Sequence, residues 1–230
     1  MSNMTIVGII GGMGPMATVD LFQKIIERTE AEKDQEHIHL MIDNNTDIPD
    51  RSAHILGGGQ DPRPEMKQAV KRLVDGGAQV LAMPCNTAHY YYSELNTYAK
   101  SLNPSVEFVH MIRETAESCY RQGHKKVLLL ATEGTYQSHL YEGFFKEKAI
   151  ELITPSLGQR EIVMKAIYDY KSGHDVDRDL FVSVLQTGQR EGVDGIILGC
   201  TELPLIAEGI DCAVPYIDPT EILATVLSKQ

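Results

Sequence analysis

The sequence predicts an α/β protein built as two pseudo-symmetric open-sheet domains with a site in the cleft between them, and three observations predict it. Short runs rich in Val, Ile and Leu recur next to glycines at residues 6–10, 80–83, 127–131 and 196–198, as expected of parallel strands buried on both faces. Amphipathic stretches with helical spacing alternate with these runs, the order that a parallel sheet requires. The whole order then occurs twice. Gly77, an apolar run and Cys85 are matched at the same spacing by Gly192, an apolar run and Cys200, and residues 126–135 parallel residues 6–15, strand for strand and turn for turn.

Taken in order, residues 4–10 read as the first strand and Gly11-Gly12-Met13-Gly14-Pro15 as the turn out of it. A helix opens at Pro15 or Met16 and is expected to run to about Asp34, with Val19, Phe22, Ile25, Ile26 and Thr29 on one face. Residues 37–43 read as the second strand. Residues 44–63 have no periodicity, only Asn-Asn, prolines and three consecutive glycines; a polar loop of that length inside a domain tends to bind or cover something. Helices at residues 64–76 and 88–102 flank the first cysteine strand, and residues 106–111 read as the fourth strand. After the repeat begins again, helices at 136–149, 159–171 and 176–191 lead to the second cysteine strand, and a strand at 213–217 and a helix at 219–227 close the chain. A terminal helix in a duplicated fold packs on the opposite half. The first domain is therefore expected to hold residues 1–110 plus 216–230 and the second residues 111–215.

With 230 residues and a formal net charge of −11, the chain has ample length for a core and no basic cluster longer than Lys125 and Lys126; a nucleic-acid partner is not expected. No apolar run approaches the roughly 18 residues of a membrane span, and the N-terminus lacks the basic and apolar regions of a signal peptide. No membrane partner and a cytoplasmic location are expected. The four cysteines include no Cys-x-x-Cys pair, so reduced thiols are expected rather than a disulfide scaffold or a zinc site.

Cys85 and Cys200 each fall just past a strand's carboxyl end, where open α/β sheets place ligands. Asn86-Thr87 and Thr201-Glu202 follow them and are placed to cap the next helix, whose free N–H groups would stabilise a thiolate. Packing requires no symmetry between two cysteines, whereas an acid and a base acting on opposite faces of one carbon do. Cys119 and Cys212 lack that context and read as structural. Gly12-Met13-Gly14-Pro15-Met16-Ala17 fits a dinucleotide fingerprint, but Asp43 lies too far on to serve as its acidic partner; a turn presenting backbone N–H groups to a small anion is the better reading. A metal site from Cys85, His89 and Cys200 would need a further ligand beside Cys200, and none recurs there. His89 reads instead as a buried, hydrogen-bonded histidine. Arg51 gains weight from its place in the long loop, whereas Lys165 has no motif of its own.

At these residues the sequence resembles the aspartate/glutamate racemase superfamily, in its aspartate racemase branch, over essentially the whole chain. The resemblance is carried by GGMGP at 11–15, IPDR at 48–51, DPRP at 61–64, MPCNTAH at 83–89, LLAT at 129–132 and GCTELP at 199–204. It implies an amino-acid racemase that needs no cofactor and no metal, with Cys85 and Cys200 as the acid/base pair. It further implies Asn86, Thr87, Thr201 and Glu202 as ligands of the α-amino and α-carboxylate groups, with Met13 at the turn. The side-chain carboxylate of a dicarboxylic amino acid would be gripped by Arg51 and a helix lysine, Lys165, with Arg160 and Lys171 as alternatives. The implied substrate is aspartate, and the sequence leaves room for a homodimer. A glutamate racemase, a dicarboxylate isomerase with a nucleophilic cysteine, and a non-catalytic amino-acid-binding module are the rivals; the last has no need of both cysteines.

Overall fold

The structure, a computed structural model, describes residues 5–230. Its first half runs β1 (Ile6–Gly11), α1 (Pro15–Arg28), β2 (His39–Asn44), α2 (Arg51–Ile55), α3 (Arg63–Asp75), β3 (Val80–Ala82), α4 (Tyr92–Leu102) and β4 (Glu107–Phe108), and the strands form a parallel sheet in the order β2-β1-β3-β4. The second half runs α5 (Met111–Gln122), β5 (Lys126–Ala131), α6 (Glu133–Gln137), α7 (Glu142–Glu147), β6 (Glu151–Ile153), α8 (Leu157–Lys171), α9 (Arg178–Glu191), β7 (Gly195–Gly199), α10 (Leu203–Ala207), β8 (Tyr216–Ile217) and α11 (Pro219–Leu227). Its sheet is also parallel, in the order β6-β5-β7-β8. Each strand of the second sheet thus takes the place of its counterpart in the first, and the duplication read in the sequence is a duplication of topology. The central strands are buried from Val7 to Gly11 in β1 and from Val127 to Ala131 in β5, which is why their sequences are uninterrupted apolar runs.

Several elements differ from expectation. Met4, expected in the first strand, lies outside the described residues. Helix α1 stops at Arg28 rather than near Asp34, because Thr29 turns extended and its hydroxyl donates to Ile25 O at 2.7 Å. The buried stripe of α1 is Ala17, Thr18, Leu21 and Ile25, whereas Val19, Phe22 and Ile26 face outward. The sequence offered two apolar stripes on this helix. What selects between them is α11, whose Leu223, Ala224 and Leu227 pack with Leu21 and Ile25.

Residues 106–111 hold a strand of only two residues, and Met111 already begins α5. That helix is capped by His110, which accepts from Arg113 N, and it ends at Gly123 in the left-handed region at φ 84°. Its buried stripe of Ile112, Thr115, Ala116 and Cys119 is short and crossed by charges, so periodicity did not reveal it. The expected helix over residues 136–149 is two short ones, α6 and α7.

Helix α11 packs on α1 and α5, while β8 pairs with β7 in the second sheet. On this packing we propose β1 to β4 together with α11 as one structural unit. Among the described residues no helix is long and apolar enough to cross a membrane.

Candidate active site

Cys85 follows β3 and Cys200 follows β7 directly, at matched strand ends; they are 5% and 6% exposed and line one cleft. Met13, Arg51, Asn86 and Thr87 line it from the first half, and Thr201 and Glu202 from the second. The free volume left in the cleft is about 10 Å³, room for about one water. The site is closed over its own side chains. Tyr168 of α8 donates to Asp50 at 3.2 Å and ties the two halves together across its mouth.

The two cysteines have unlike surroundings. Cys200 Sγ donates to Glu202 Oε2 at 3.0 Å, Thr201 Oγ1 donates to the same oxygen at 3.4 Å, and Lys171 Nζ stands 3.6 Å from Oε1. Burial first and the Glu202 charge second push the Cys200 thiol well above its ordinary pKa, with Lys171 opposing them. The Glu202 N–H favours the thiolate as the sequence led one to expect, but burial and the Glu202 carboxylate outweigh it. Neither Asn86, at the start of the 3-10 turn Thr87–Tyr91, nor Glu202, at the start of α10, makes a side-chain cap bond, because both side chains are engaged elsewhere.

On the Cys85 side, the backbone is fixed by His89. Its Nε2 accepts from Met111 N at 3.1 Å, so its Nδ1 carries the ring proton and donates to Cys85 O at 2.8 Å. Burial lowers its pKa to about 4. With both ring nitrogens engaged, His89 has no lone pair to offer a metal beside Cys85. Asn86 Oδ1 accepts from Tyr141 at 2.5 Å, and its Nδ2 is buried without a partner. Thr87 Oγ1 lies 2.8 Å from Thr132 Oγ1 and 3.1 Å from Thr135 Oγ1. Sequence reasoning did not single out Tyr141, Thr132 or Thr135, although the last two stand in the turn that repeats Gly12–Pro15.

Arg51 opens α2, whose N-terminus is capped by Asp50 accepting from Ala53 N at 2.7 Å. The Arg51 guanidinium is buried and donates to Met13 O, Ile48 O and Pro49 O at 3.1–3.3 Å, and its Nε has no partner. Burial works against its charge, but Cys85 and Asp50 outweigh burial and hold it protonated.

The structure does not bring Lys165 to this site. Its side chain is 68% exposed, pairs with Asp169 at 2.5 Å and lines a separate groove on the outside of α8. Arg160 is likewise engaged, donating to Thr154 and Pro155 and covering the Tyr136 ring. Of the three α8 candidates, Lys171, at the end of the helix, is the one that lines the cleft. Burial alone would lower its pKa, but Cys200, Glu202 and Cys85 together raise it.

With this geometry, the comparison with known proteins is decisive at the level of family: a model of the Asp/Glu/Hydantoin racemase family matches residues 10–227. The chain belongs to that family. The assignment supports an amino-acid racemase. An aspartate racemase of Picrophilus torridus is similar at 35% identity, covering 98% of this chain and 93% of its own, with a TM-score of 0.85. The broad specificity amino-acid racemase RacX of Bacillus subtilis is 28% identical over 222 residues, 95% of this chain and 94% of RacX. A Francisella tularensis glutamate racemase solved with D-glutamate is 18% identical with a TM-score of 0.69 over 98% of this chain and 80% of its own, a likeness of fold.

In this racemase-family chain Gly12 of the glycine turn serves packing. Gly12 has φ 88°, and a Cβ there would lie 2.2 Å from Asn45 O; only glycine allows that approach. Its N–H donates to Thr18 Oγ1 at 3.0 Å and is not free for an anion. Asp43, the acidic residue nearest to a ribose-binding position, pairs with Arg72 at 2.7 Å.

Proposed function

We propose that the protein interconverts L- and D-aspartate, with Cys85 and Cys200 as the two proton carriers and no cofactor in the reaction. The observation that carries this reading is the convergence of two cysteines, from matched strand ends of a duplicated fold, on one buried cleft. Inversion at an α-carbon removes its proton on one face and returns a proton on the other. The electron pair of the broken C–H bond passes into the α-carboxylate as an enolate-like charge, which needs fixed donors in a site closed to water. Asn86 Nδ2 is such a donor, buried and unpartnered. Glu202, carboxylate beside Cys200, suits the substrate ammonium.

The finer choice of aspartate rests on the cations. Arg51 and Lys171 stand on the walls of the same cleft; Lys171 already faces Glu202 at 3.6 Å, whereas Arg51 is buried with its Nε unpartnered, and a buried positive charge is retained at a cost unless an anion meets it. A distal carboxylate meets that need, with the guanidinium fork fixing its distance from the α-carbon. Glutamate's extra methylene would move the α-proton out of line, and a displacement of about 1 Å can cost on the order of 100-fold in rate.

The test is deuterium incorporation from solvent at the α-carbon across a panel of amino acids, without added cofactor. Aspartate should exchange fastest in both enantiomers. Equal rates for small neutral amino acids would replace the aspartate reading with the breadth seen in the name of RacX. The absence of any exchange would leave a binding module.

A further inference from the structure

Asn86 and its counterpart in the repeat, Thr201, follow the two cysteines, and only Asn86 carries an amide. An amide has one accepting end and one donating end, and which end faces the substrate decides whether it greets a carboxylate or an ammonium. In this structure the choice is made by Tyr141, which lies between α6 and α7 on the other half of the fold, fully buried against Phe145 at a ring separation of 5.7 Å. Its hydroxyl donates to Asn86 Oδ1 at 2.5 Å, while Asn86 Nδ2 stays buried with no partner. Asn86 lines the cleft.

We propose that Tyr141 is a positioning residue that holds the Asn86 amide in one orientation, so that Asn86 presents only its N–H end to the substrate and takes its α-carboxylate. The inference rests on the racemase reading above and deepens it. A phenol suits the task because its one proton finds its acceptor in Asn86 Oδ1, and a flipped amide would leave that proton without one. Burial pushes the Tyr141 pKa well above its ordinary value, with Cys119 and Cys200 adding to the effect, so the hydroxyl remains a donor at any working pH. Without that donor, Oδ1 would be left unsatisfied in a dry site and the amide would be free to flip toward it.

The polarity of the cleft follows from the same pair. The repeat places Thr201 opposite Asn86 and Glu202 opposite Thr87, so the matched positions carry unlike chemistry: a donor amide beside Cys85 and an accepting carboxylate beside Cys200. A substrate entering this cleft lies with its α-carboxylate toward the first half and its ammonium toward the second. An α-carbon held by both groups presents its hydrogen to one cysteine or the other according to its configuration. Tyr141 therefore acts on the reaction through orientation, without touching the substrate.

The test is a double-mutant cycle on binding. Equilibrated DL-aspartate can be titrated calorimetrically with no net reaction, so the measured heat is that of binding. Tyr141→Phe keeps the ring and removes only the oxygen, and it should weaken binding about tenfold, as expected for a hydrogen bond to a charged group. Asn86→Ala should weaken binding at least as much, and Tyr141→Phe in the Asn86→Ala background should add nothing. Asn86→Asp should bind more weakly than Asn86→Ala, because it sets a carboxylate against a carboxylate. Additive losses in the cycle, or wild-type affinity in Tyr141→Phe, would overturn the proposal. Wild-type binding without solvent exchange at the α-carbon would sink the racemase reading alone. Failure of the wild type to bind aspartate would overturn both.

Discussion

Cys200 donates its thiol proton to Glu202 at 3.0 Å, in a pocket where both side chains are almost fully buried. A carboxylate two residues away keeps that thiol protonated. Its counterpart beside Cys85 is Arg51, the opposite charge. A symmetric fold thus carries an asymmetric pair.

The first prediction follows from that pair. Glu202 raises the Cys200 pKa and Lys171 lowers it, so Glu202→Gln should move the pH at which Cys200 becomes alkylated by iodoacetamide downward. The rate is to be followed against pH by peptide mass mapping, with Cys119 as the internal reference, since burial pushes its thiol up to about 12. A Cys200 profile that stays put or moves upward would remove Glu202 from its role.

A second prediction concerns the two thiols of the cleft and tests their proposed role as proton carriers. Cys85→Ser and Cys200→Ser should each lower racemization by at least about 100-fold, the low end of what a positioned acid or base contributes. Cys119→Ser should stay active and lose roughly 1–3 kcal/mol of stability for a hydroxyl placed in the core. Near-normal racemization by either of the first two variants would rule out a mechanism that uses both thiols.

Third, the lysine in the cleft should matter and the lysine outside it should not. Lys171→Ala should raise the KM for aspartate about tenfold or more, the worth of a charged hydrogen bond, while Lys165→Ala should behave as wild type in steady-state kinetics. The reverse pattern would return the distal grip to Lys165.

A fourth prediction is acid sensitivity centred on His89. Its folded pKa is about 4, below the ordinary 6.5, so the unfolded chain takes up a proton that the folded chain refuses. The stability associated with His89 is present in full above about pH 6.5 and is lost as the pH falls toward 4, by at most about 3 kcal/mol. Burial lowers His110 to about 3, with the same sign. In denaturant unfolding between pH 7 and 4.5, His89→Gln should start less stable and lose stability less steeply than wild type; a parallel loss would assign the acid sensitivity to other groups.

The sequence by itself determined the class of fold, the duplication and the place of the two cysteines. These are written in features that act locally: apolar runs that fit a doubly covered strand, glycines that end them, and a repeat that needs no contact map to see. The family motifs added Met13, Arg51, Asn86, Thr87, Thr201 and Glu202, all of which line one cleft. What only the tertiary structure decided depends on contacts between distant segments. On α1, the buried stripe is chosen by α11 at the far end of the chain. On α8, Lys165 and Lys171 differ in facing solvent or the cleft, and the spacing of charges along one helix cannot say which wall it will meet. At Cys200 the sequence pointed to the N–H groups of the following turn but not to the opposing charge, because Glu202 resembles a helix-capping residue in sequence, whereas in the fold its carboxylate turns back to the thiol. Asn86 required a partner from the other half, Tyr141, before its amide acquired a direction. Strand identity is a local property of the chain; protonation state and amide orientation are set by the few atoms that folding brings within hydrogen-bonding reach.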